Sequence, residues 1–306
     1  MKRTESAGEG LPVTPVLEVE RLDAEIREGP SAQPVLRGAS LRIEPGCIHG
    51  LVGESGGGKS MLCKAVTGIL PRSVRITGGA IRFQGRELLA MGPQARAALL
   101  GRGIAMILQN PMTALNPVYK VRAQITDVLC LHKGLDRAAA HQRALELLAA
   151  VHIREPERVM QLYPHELSGG MCQRVAIAIA FSCEPRLIIA DEPTTALDVT
   201  VQHRILKLLK EMQQRTGTSV LFVTHDLGIV AKLCDSVSVI YAGQTLFSAP
   251  VAKAFDGAQR HPYVSALLAC APRYDRPDMQ VQPIPKELRT QLLAEARAYD
   301  QERKSA

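Results

Sequence analysis

Short apolar runs alternate with longer amphipathic segments along much of the chain, and this alternation predicts an α/β protein. The runs Ile48–Val52, Leu187–Ala190 and Val220–Thr224 have the length and composition of buried strands. Ala138–Val151 instead carries apolar residues at the spacing of an amphipathic helix. Because strands that are separated by helices usually pair in parallel, we expect a parallel sheet covered by helices.

Two further patterns extend this picture toward the ends of the chain. Gly78 and Gly79 are predicted to lie between a pair of strands, with Ile81 and Phe83 following them. Pro285–Lys304 is highly charged and carries leucine and alanine side chains at near-helical spacing, which predicts a helix.

Composition and charge narrow the class of protein. The apolar content of 46% and the charged content of 22% are ordinary for a globular domain, and no apolar run approaches the length of a transmembrane helix. A net charge of +7 raises nucleic-acid binding as an alternative, but the basic residues are scattered and only 4% of residues are aromatic. The seven cysteines are dispersed and form no C-x-x-C pair, which favours reduced thiols in a cytosolic protein.

A glycine-rich segment follows the first of the buried runs. Residues 53–60 read Gly-Glu-Ser-Gly-Gly-Gly-Lys-Ser and match the phosphate-binding pattern G-x-x-x-x-G-K-[ST], with a helix predicted over Met61–Ile69. Glycines let backbone N–H groups turn toward phosphate oxygens, and the helix start adds unpaired N–H groups. Lys59 is predicted to neutralise the β- and γ-phosphates and the Ser60 hydroxyl to bind Mg²⁺, whereas a plain surface turn is the weaker alternative. The predicted nucleotide contacts in this segment are Gly53, Glu54, Ser55, Gly56, Gly57, Gly58, Lys59, Ser60 and Met61.

Two adjacent acids end the apolar run Leu187–Ala190. At the carboxyl end of a buried strand, Asp191 is predicted to bind Mg²⁺ through water and Glu192 to polarise an attacking water molecule. A solvated turn is the alternative for two such acids, and their place downstream of a phosphate loop favours the catalytic interpretation.

With these two motifs and several others, the chain resembles the ATP-binding cassette (ABC) family. Gln109, after the apolar run Ile104–Leu108, resembles the Q-loop glutamine of that family. Residues 167–174 resemble its signature sequence, Ala196–Asp198 its D-loop, and His225 its switch histidine. These motifs occur in the order that the family has.

The resemblance implies a mechanism shared between two cassettes that stack head to tail. Each ATP would lie between the phosphate loop of one cassette and the signature of the other. The resemblance implies that Ser168, Gly169 and Gly170 contact the γ-phosphate of a partner's ATP and that Asp198 lies at the dimer interface. It implies that His225 contacts the γ-phosphate in its own chain and that Gln109 contacts Mg²⁺ or the attacking water. Glu192 is implied to be the catalytic carboxylate. An ordinary loop amide and an ordinary helix-cap residue are the alternatives for Gln109 and His225.

The chain departs from the family pattern at two places. The family usually stacks an aromatic ring on adenine, but the matching position here is Ile26, and no aromatic residue precedes Phe83. We therefore expect only apolar contact between Ile26 and the base. Peptide-importer ATPases often end in a cysteine cluster that holds an iron–sulfur centre, whereas the last cysteine here is Cys270, so we expect no such cluster.

The expected fold is a P-loop NTPase of the ABC cassette type. It comprises a RecA-like α/β core, an antiparallel β subdomain and an inserted α-helical subdomain. We expect a flexible tail over residues 1–15, the ATPase domain over 16–250 with the helical subdomain at about 111–166, and an extension of the oligopeptide-importer type over 251–306.

Several segments resemble one branch of the family, the ATPases of dipeptide, oligopeptide and nickel importers. They are Asn110–Pro117, Ala190–Thr200 and His261–Tyr263, and their sequences resemble the first of the two ATPase types that such importers use. Residues 68–79 resemble the nickel and metallophore members somewhat more closely. The resemblance implies an ATP- and Mg²⁺-dependent subunit that energises import of peptides or nickel chelates.

The implied partners are a second ATPase subunit, identical or different, and two multi-span membrane permeases, with an extracytoplasmic solute-binding protein acting indirectly and no nucleic acid. The chain would lie peripherally on the cytoplasmic face of the inner membrane. A groove beside the Q-loop would receive a permease helix, with Met112, Leu115, Val118 and Tyr119 as candidate contacts or, alternatively, as core residues. The rival function is a soluble scaffold or ATPase of a non-transport complex, such as one for phosphonate breakdown. Chromosome-organising ATPases need long coiled coils, and translation factors of this kind carry two cassettes, so both fit poorly.

Overall fold

The computed structural model describes residues 14–28, 31–195, 197–256, 261–270 and 284–305. The elements in chain order are β1 (Leu17–Glu28), β2 (Ser31–Ile43), β3 (Ile48–Val52), α1 (Lys59–Thr67), β4 (Val74–Phe83), β5 (Arg86–Glu87), α2 (Pro93–Ala97), β6 (Ile104–Ile107), α3 (Pro111–Ala114), α4 (Val121–Lys133), α5 (Arg137–Ala150), α6 (Pro156–Val159), α7 (Gly169–Ser182), β7 (Leu187–Asp191), α8 (Val199–Thr216), β8 (Ser219–Thr224), α9 (Leu227–Leu233), β9 (Ser236–Tyr241), β10 (Gln244–Pro250), α10 (Val251–Phe255), α11 (Pro262–Cys270) and α12 (Lys286–Ser305). A short 3-10 turn covers Pro164–Glu166.

The larger sheet has six strands in the order β10-β9-β3-β8-β7-β6. All neighbouring pairs are parallel except β10 and β9, which confirms the predicted parallel sheet. The register pairs Val52 with Thr224, Asp191 with Val223, and Ile107 with the residue before Asp191. The carboxyl ends of four strands therefore meet at one edge, where side chains of the following loops converge.

Alternate residues of this sheet face two different hydrophobic cores, as the period of two in a strand requires. In β7, Ile188 and Ala190 belong to the core that the helices α4, α5, α7 and α8 cover. Leu187 and Ile189 belong to a second core, between the large sheet and the smaller antiparallel sheet. The helices between β6 and β7 agree with the expected helical insertion.

The smaller sheet has the strand order β2-β1-β4-β5 and is antiparallel. Here one prediction was wrong, because β4 runs continuously through Gly78 and Gly79 and does not break into two strands. Gly79 has a φ of 86°, and a Cβ there would lie 2.4 Å from the carbonyl oxygen of Arg21, whose own φ is 44°. Two β1 residues, Arg21 and Leu22, oppose the single residue Gly79, and this bulge shifts the register without ending β4.

The residues after β10 pack back onto the core. Tyr263 of α11 is fully buried, and its ring lies edge-on to Tyr241 with centroids 4.9 Å apart. The predicted terminal helix is confirmed as α12, which buries Leu292 and Ala296 and leaves Leu293 largely exposed. Residues 1–13, which hold most of the predicted N-terminal tail, lie outside the described residues. Within the described ranges, no helix has the length and apolarity needed to span a membrane.

Candidate nucleotide site

The phosphate loop lies between β3 and α1 and packs closely against neighbouring backbone segments. Gly58 has a φ of 102° and precedes the helix start, so its backbone occupies a region that favours glycine. A Cβ at Gly53 would lie 2.1 Å from the carbonyl oxygen of Ile240. A Cβ at Gly58 would lie 3.2 Å from both Val35 and Gly243. The glycines are therefore needed for close packing against β2 and β9 as well as for the turn.

Lys59 is held across the loop that it belongs to. Its Nζ donates hydrogen bonds to the carbonyl oxygens of Gly53, at 2.8 Å, and Glu54, at 2.9 Å. It also lies 4.0 Å from Glu192 Oε1. Burial lowers the pKa of Lys59, and the surrounding carboxylates, with Glu192 first, oppose that shift. The ammonium group is thus positioned inside the curve of the loop, where a bound phosphate would meet it.

Ser60 and Asp191 bring two oxygen atoms together beside this lysine. Ser60 Oγ donates to Asp191 Oδ1 at 3.3 Å. Burial raises the pKa of Asp191, and the hydrogen bond from Ser60 partly offsets that rise. One hydroxyl and one carboxylate suit Mg²⁺, which takes its remaining ligands from waters and substrate phosphates.

Glu192 is the centre of the site. Its backbone has a φ of 46°, a conformation that costs energy in a non-glycine residue and clusters at functional sites. Gln109 Nε2 and Thr195 Oγ1 each donate to Glu192 Oε2 at 3.0 Å. His225 Nδ1 lies 3.5 Å from Glu192 Oε1, and its side chain is 59% exposed. Gln109 and His225, the other two residues predicted to be catalytic, therefore meet around the carboxylate of Glu192, together with Lys59.

Thr195 is a contact that the sequence analysis missed. It lies at the third position after Glu192, where a side-chain hydroxyl returns to the carboxylate at a turn. The run Asp-Glu-Pro-Thr-Thr contains the signal, since threonine just after a loop acid is a common hydrogen-bond donor.

The signature and D-loop residues lie elsewhere. Ser168 Oγ accepts from Met171 N at 3.3 Å and caps α7, and Asp198 Oδ1 accepts from Val201 N at 2.9 Å and caps α8. The signature glycines Gly169 and Gly170 are adjacent to the start of α8, with a Cβ at Gly170 lying 3.0 Å from Val201. Among the described residues, no hydrogen bond or ion pair joins Ser168, Gly169, Gly170 or Asp198 to residues 53–60. Ala196 of the predicted D-loop lies outside the described residues.

Ile26 lies in the smaller sheet, between Gln33 of β2 and Val74 of β4. It is half-buried and packs against the second core. The residues that contact the phosphate loop from this sheet are instead Val35 and Leu36.

Comparison with known proteins identifies the family of the chain. The family model described as ABC transporter matches residues 36–195. The chain belongs to the ABC transporter family. A probable D,D-dipeptide transport ATP-binding protein, DdpD of Escherichia coli, is 44% identical over 272 residues, covering 89% of this chain and 83% of that protein. The oligopeptide transport ATP-binding protein OppD of Bacillus subtilis is 44% identical, covering 85% of this chain and 73% of that protein.

Solved ABC structures share the fold. CbiO1 from Clostridium perfringens, part of an ABC transporter complex, is 28% identical with a TM-score of 0.68, covering 79% of this chain and 91% of that chain. The cassette MJ0796, solved as a post-hydrolysis dimer with ADP and Pi, is 24% identical with a TM-score of 0.68 and covers 77% of this chain and 98% of that chain. The chain is thus an ATP-binding ABC ATPase with the expected α/β cassette fold.

Proposed function

We propose that this ABC ATPase energises the import of peptides. The observation that carries the catalytic part is the convergence of Gln109, Thr195, His225 and Lys59 on the carboxylate of Glu192. The peptide part is supported by the relatives at 44% identity, whose names refer to dipeptides and oligopeptides. These relatives favour peptides over the nickel chelates that residues 68–79 suggested.

In hydrolysis, Glu192 would accept a hydrogen bond, and then a proton, from the water that attacks the γ-phosphorus as the bond to the bridging oxygen breaks. Gln109 and Thr195 hold Glu192 Oε2, so Oε1, which lies 3.5 Å from His225 Nδ1 and 4.0 Å from Lys59 Nζ, would be the oxygen that accepts from the water. Gln109 Nε2 is used in this contact, and its amide oxygen is the atom suited to a metal or water. His225 would donate to a γ-phosphate oxygen.

Ser60 and Asp191 would hold Mg²⁺, with Gln109 as a further ligand candidate. The bound ion would neutralise developing charge on the β- and γ-phosphate oxygens. The backbone amides of Gly53–Gly58 and the Lys59 ammonium would bind the same phosphates from the other side. These residues therefore orient the nucleotide while Glu192 handles the proton.

The signature would serve an ATP molecule bound to a second ATPase subunit, identical or different. This is supported by the separation of Ser168, Gly169 and Gly170 from the phosphate loop of their own chain. The start of α7 offers free N–H groups to a γ-phosphate, and Asp198, beside it, would lie at the dimer interface.

Two permease subunits at the cytoplasmic face of the membrane are the proposed docking partners, and the solute-binding protein would act through them. Met112, Val118 and Tyr119, which follow Gln109 in the chain, are 43%, 70% and 56% exposed and so are accessible to a partner. Leu115, the fourth candidate, is 2% exposed and packs in the core, which is the alternative that the sequence left open for it.

Purification from membranes tests the transport proposal. Tagged wild-type protein should co-purify with two multi-span proteins, and Val118→Asp or Tyr119→Asp should lose them. The matched control is Leu131→Asp, because Leu131 is a 71% exposed leucine on α4. A wild-type complex made only of water-soluble proteins would overturn transport and favour the non-transport scaffold.

A further inference from the structure

The terminal helix α12 reaches the phosphate loop of the nucleotide site. Near its start, the Arg289 guanidinium forms an ion pair and a hydrogen bond with the Glu54 carboxylate. Glu54 belongs to the loop, and its carbonyl oxygen accepts from both Lys59 Nζ and Gly57 N. A residue 235 positions away in the chain thus binds the side chain of a phosphate-loop residue.

The far end of α12 reaches the same loop by a second route. Asp300 Oδ1 accepts from Arg37 Nε at 2.8 Å, and both side chains are more than four-fifths buried. The guanidinium of Arg37 also donates to the carbonyl oxygen of Ala242 at 2.6 Å. The backbone N–H of Arg37 donates to the carbonyl oxygen of Gly243 at 2.9 Å. The N–H of Gly243 then donates to the carbonyl oxygen of Gly57 at 3.0 Å.

Further contacts fix the helix along its length. Tyr299 Oη donates to Asp23 Oδ1 at 3.1 Å, and Arg303 Nη1 lies 3.4 Å from the same oxygen. Leu292 and Ala296, on the inner face, are each 2% exposed. Because α12 is fixed by buried apolar and polar contacts, Arg289 is presented to the loop at a defined place.

The charge at Glu54 makes this contact matter for nucleotide binding. The loop amides and Lys59 form a cradle for a polyanion, and a carboxylate in the same loop opposes that function. The guanidinium of Arg289 compensates the carboxylate of Glu54 and restrains the segment whose carbonyl anchors Lys59.

We propose that Arg289 is a positioning residue for nucleotide binding, which holds Glu54 and neutralises its charge beside the triphosphate. The proposal rests on the assignment of residues 53–60 as the phosphate site. It gives the C-terminal extension a role in the nucleotide site of its own chain.

A double-mutant cycle on the full-length protein tests the proposal, with ATP affinity measured by titration. Arg289→Gln should weaken ATP binding by about threefold to fivefold, the range for a partly exposed ion pair. Glu54→Gln should change ATP affinity in the opposite direction and tighten binding, because it removes the carboxylate that opposes the triphosphate. Adding Glu54→Gln to Arg289→Gln should restore the affinity, and the loss in the single variant should shrink at high salt.

Arg297→Gln is the matched control, since it makes the same change on an exposed part of α12 where the structure describes no ion pair, and it should bind ATP like the wild type. An unchanged affinity in Arg289→Gln, or a loss that Glu54→Gln does not rescue, would overturn the charge-compensating role. Lys59→Ala distinguishes failure of the Arg289 proposal from failure of the phosphate-site assignment. Retained ATP binding in Lys59→Ala would refute the assignment of residues 53–60 as the phosphate site.

Discussion

Gly53→Ala places a single methyl group at the most closely packed point of the phosphate loop. The new Cβ would start 2.1 Å from the carbonyl oxygen of Ile240, whereas real Cβ contacts do not fall below 3.0 Å. The loop or the end of β9 must therefore move by about 1 Å, since close-packed interiors offer no spare space. Gly53 itself lies outside the positive-φ region, so the effect is steric and not conformational.

The displacement has two consequences of predictable size. Overpacking of this kind costs about 1–3 kcal/mol of stability. The carbonyl of Gly53 also anchors Lys59 Nζ at 2.8 Å, so the loop and its ammonium group move together. Because about 1 Å of misplacement in a site can cost on the order of 10²-fold in function, we expect ATP affinity to fall by one to two orders of magnitude.

Titration of ATP into the variant, with urea unfolding in parallel, measures both effects. Gly134→Ala is the control, because Gly134 ends α4 outside the phosphate loop, a Cβ there meets nothing within 4 Å and the φ of 71° is the only obstacle. That control should lose about 1 kcal/mol and keep most of its affinity. Wild-type affinity and stability in Gly53→Ala would refute the packing of the loop against Ile240.

Three other predictions concern pH, catalysis and the small sheet. Burial lowers the pKa of His49 from 6.5 to about 4, so the unfolded chain binds a proton that the folded chain does not, and the free energy of unfolding should fall by up to roughly 3 kcal/mol as the pH drops from 6.5 to 4. The urea unfolding midpoint, plotted against pH over this range, should have a shallower slope in His49→Gln than in the wild type. An unchanged slope would contradict the lowered pKa of His49. His225→Ala should slow ATP turnover by about 10²-fold or more while ATP still binds, because one donor beside Glu192 is removed; single-turnover rates check this, and wild-type turnover would count against it. Gly79→Ala should cost about 2 kcal/mol of stability through its clash with Arg21 but leave ATP affinity intact, and a stable variant would exclude the bulge geometry.

The catalytic cluster was predictable because each of its members follows a strand. Parallel strands in register bring their carboxyl ends together, so the residues after β6, β7 and β8 had to converge. Gln109, Glu192 and His225 could be selected from local pattern alone. Their exact partners could not, since Thr195 reaches Glu192 through a turn whose shape depends on the positive φ of Glu192.

Contacts between distant segments were beyond the reach of local patterns. The packing of Val35 and Gly243 against Gly58 depends on how the small sheet docks beside β9. The pairing of Arg289 with Glu54 depends on the path of the chain after β10. Periodicity predicted that α12 is a helix, but an exposed arginine on a charged helix gives no indication of its partner.

Glu192→Gln tests the central claim most directly, because it removes the carboxylate on which the site converges and keeps its shape. ATP affinity should remain near that of the wild type, while hydrolysis should fall by at least about 10²-fold, the contribution of a general base. Glu184→Gln, a surface glutamate paired with Lys133, should hydrolyse ATP normally. Near wild-type hydrolysis in Glu192→Gln would contradict the assignment of Glu192 as the catalytic carboxylate.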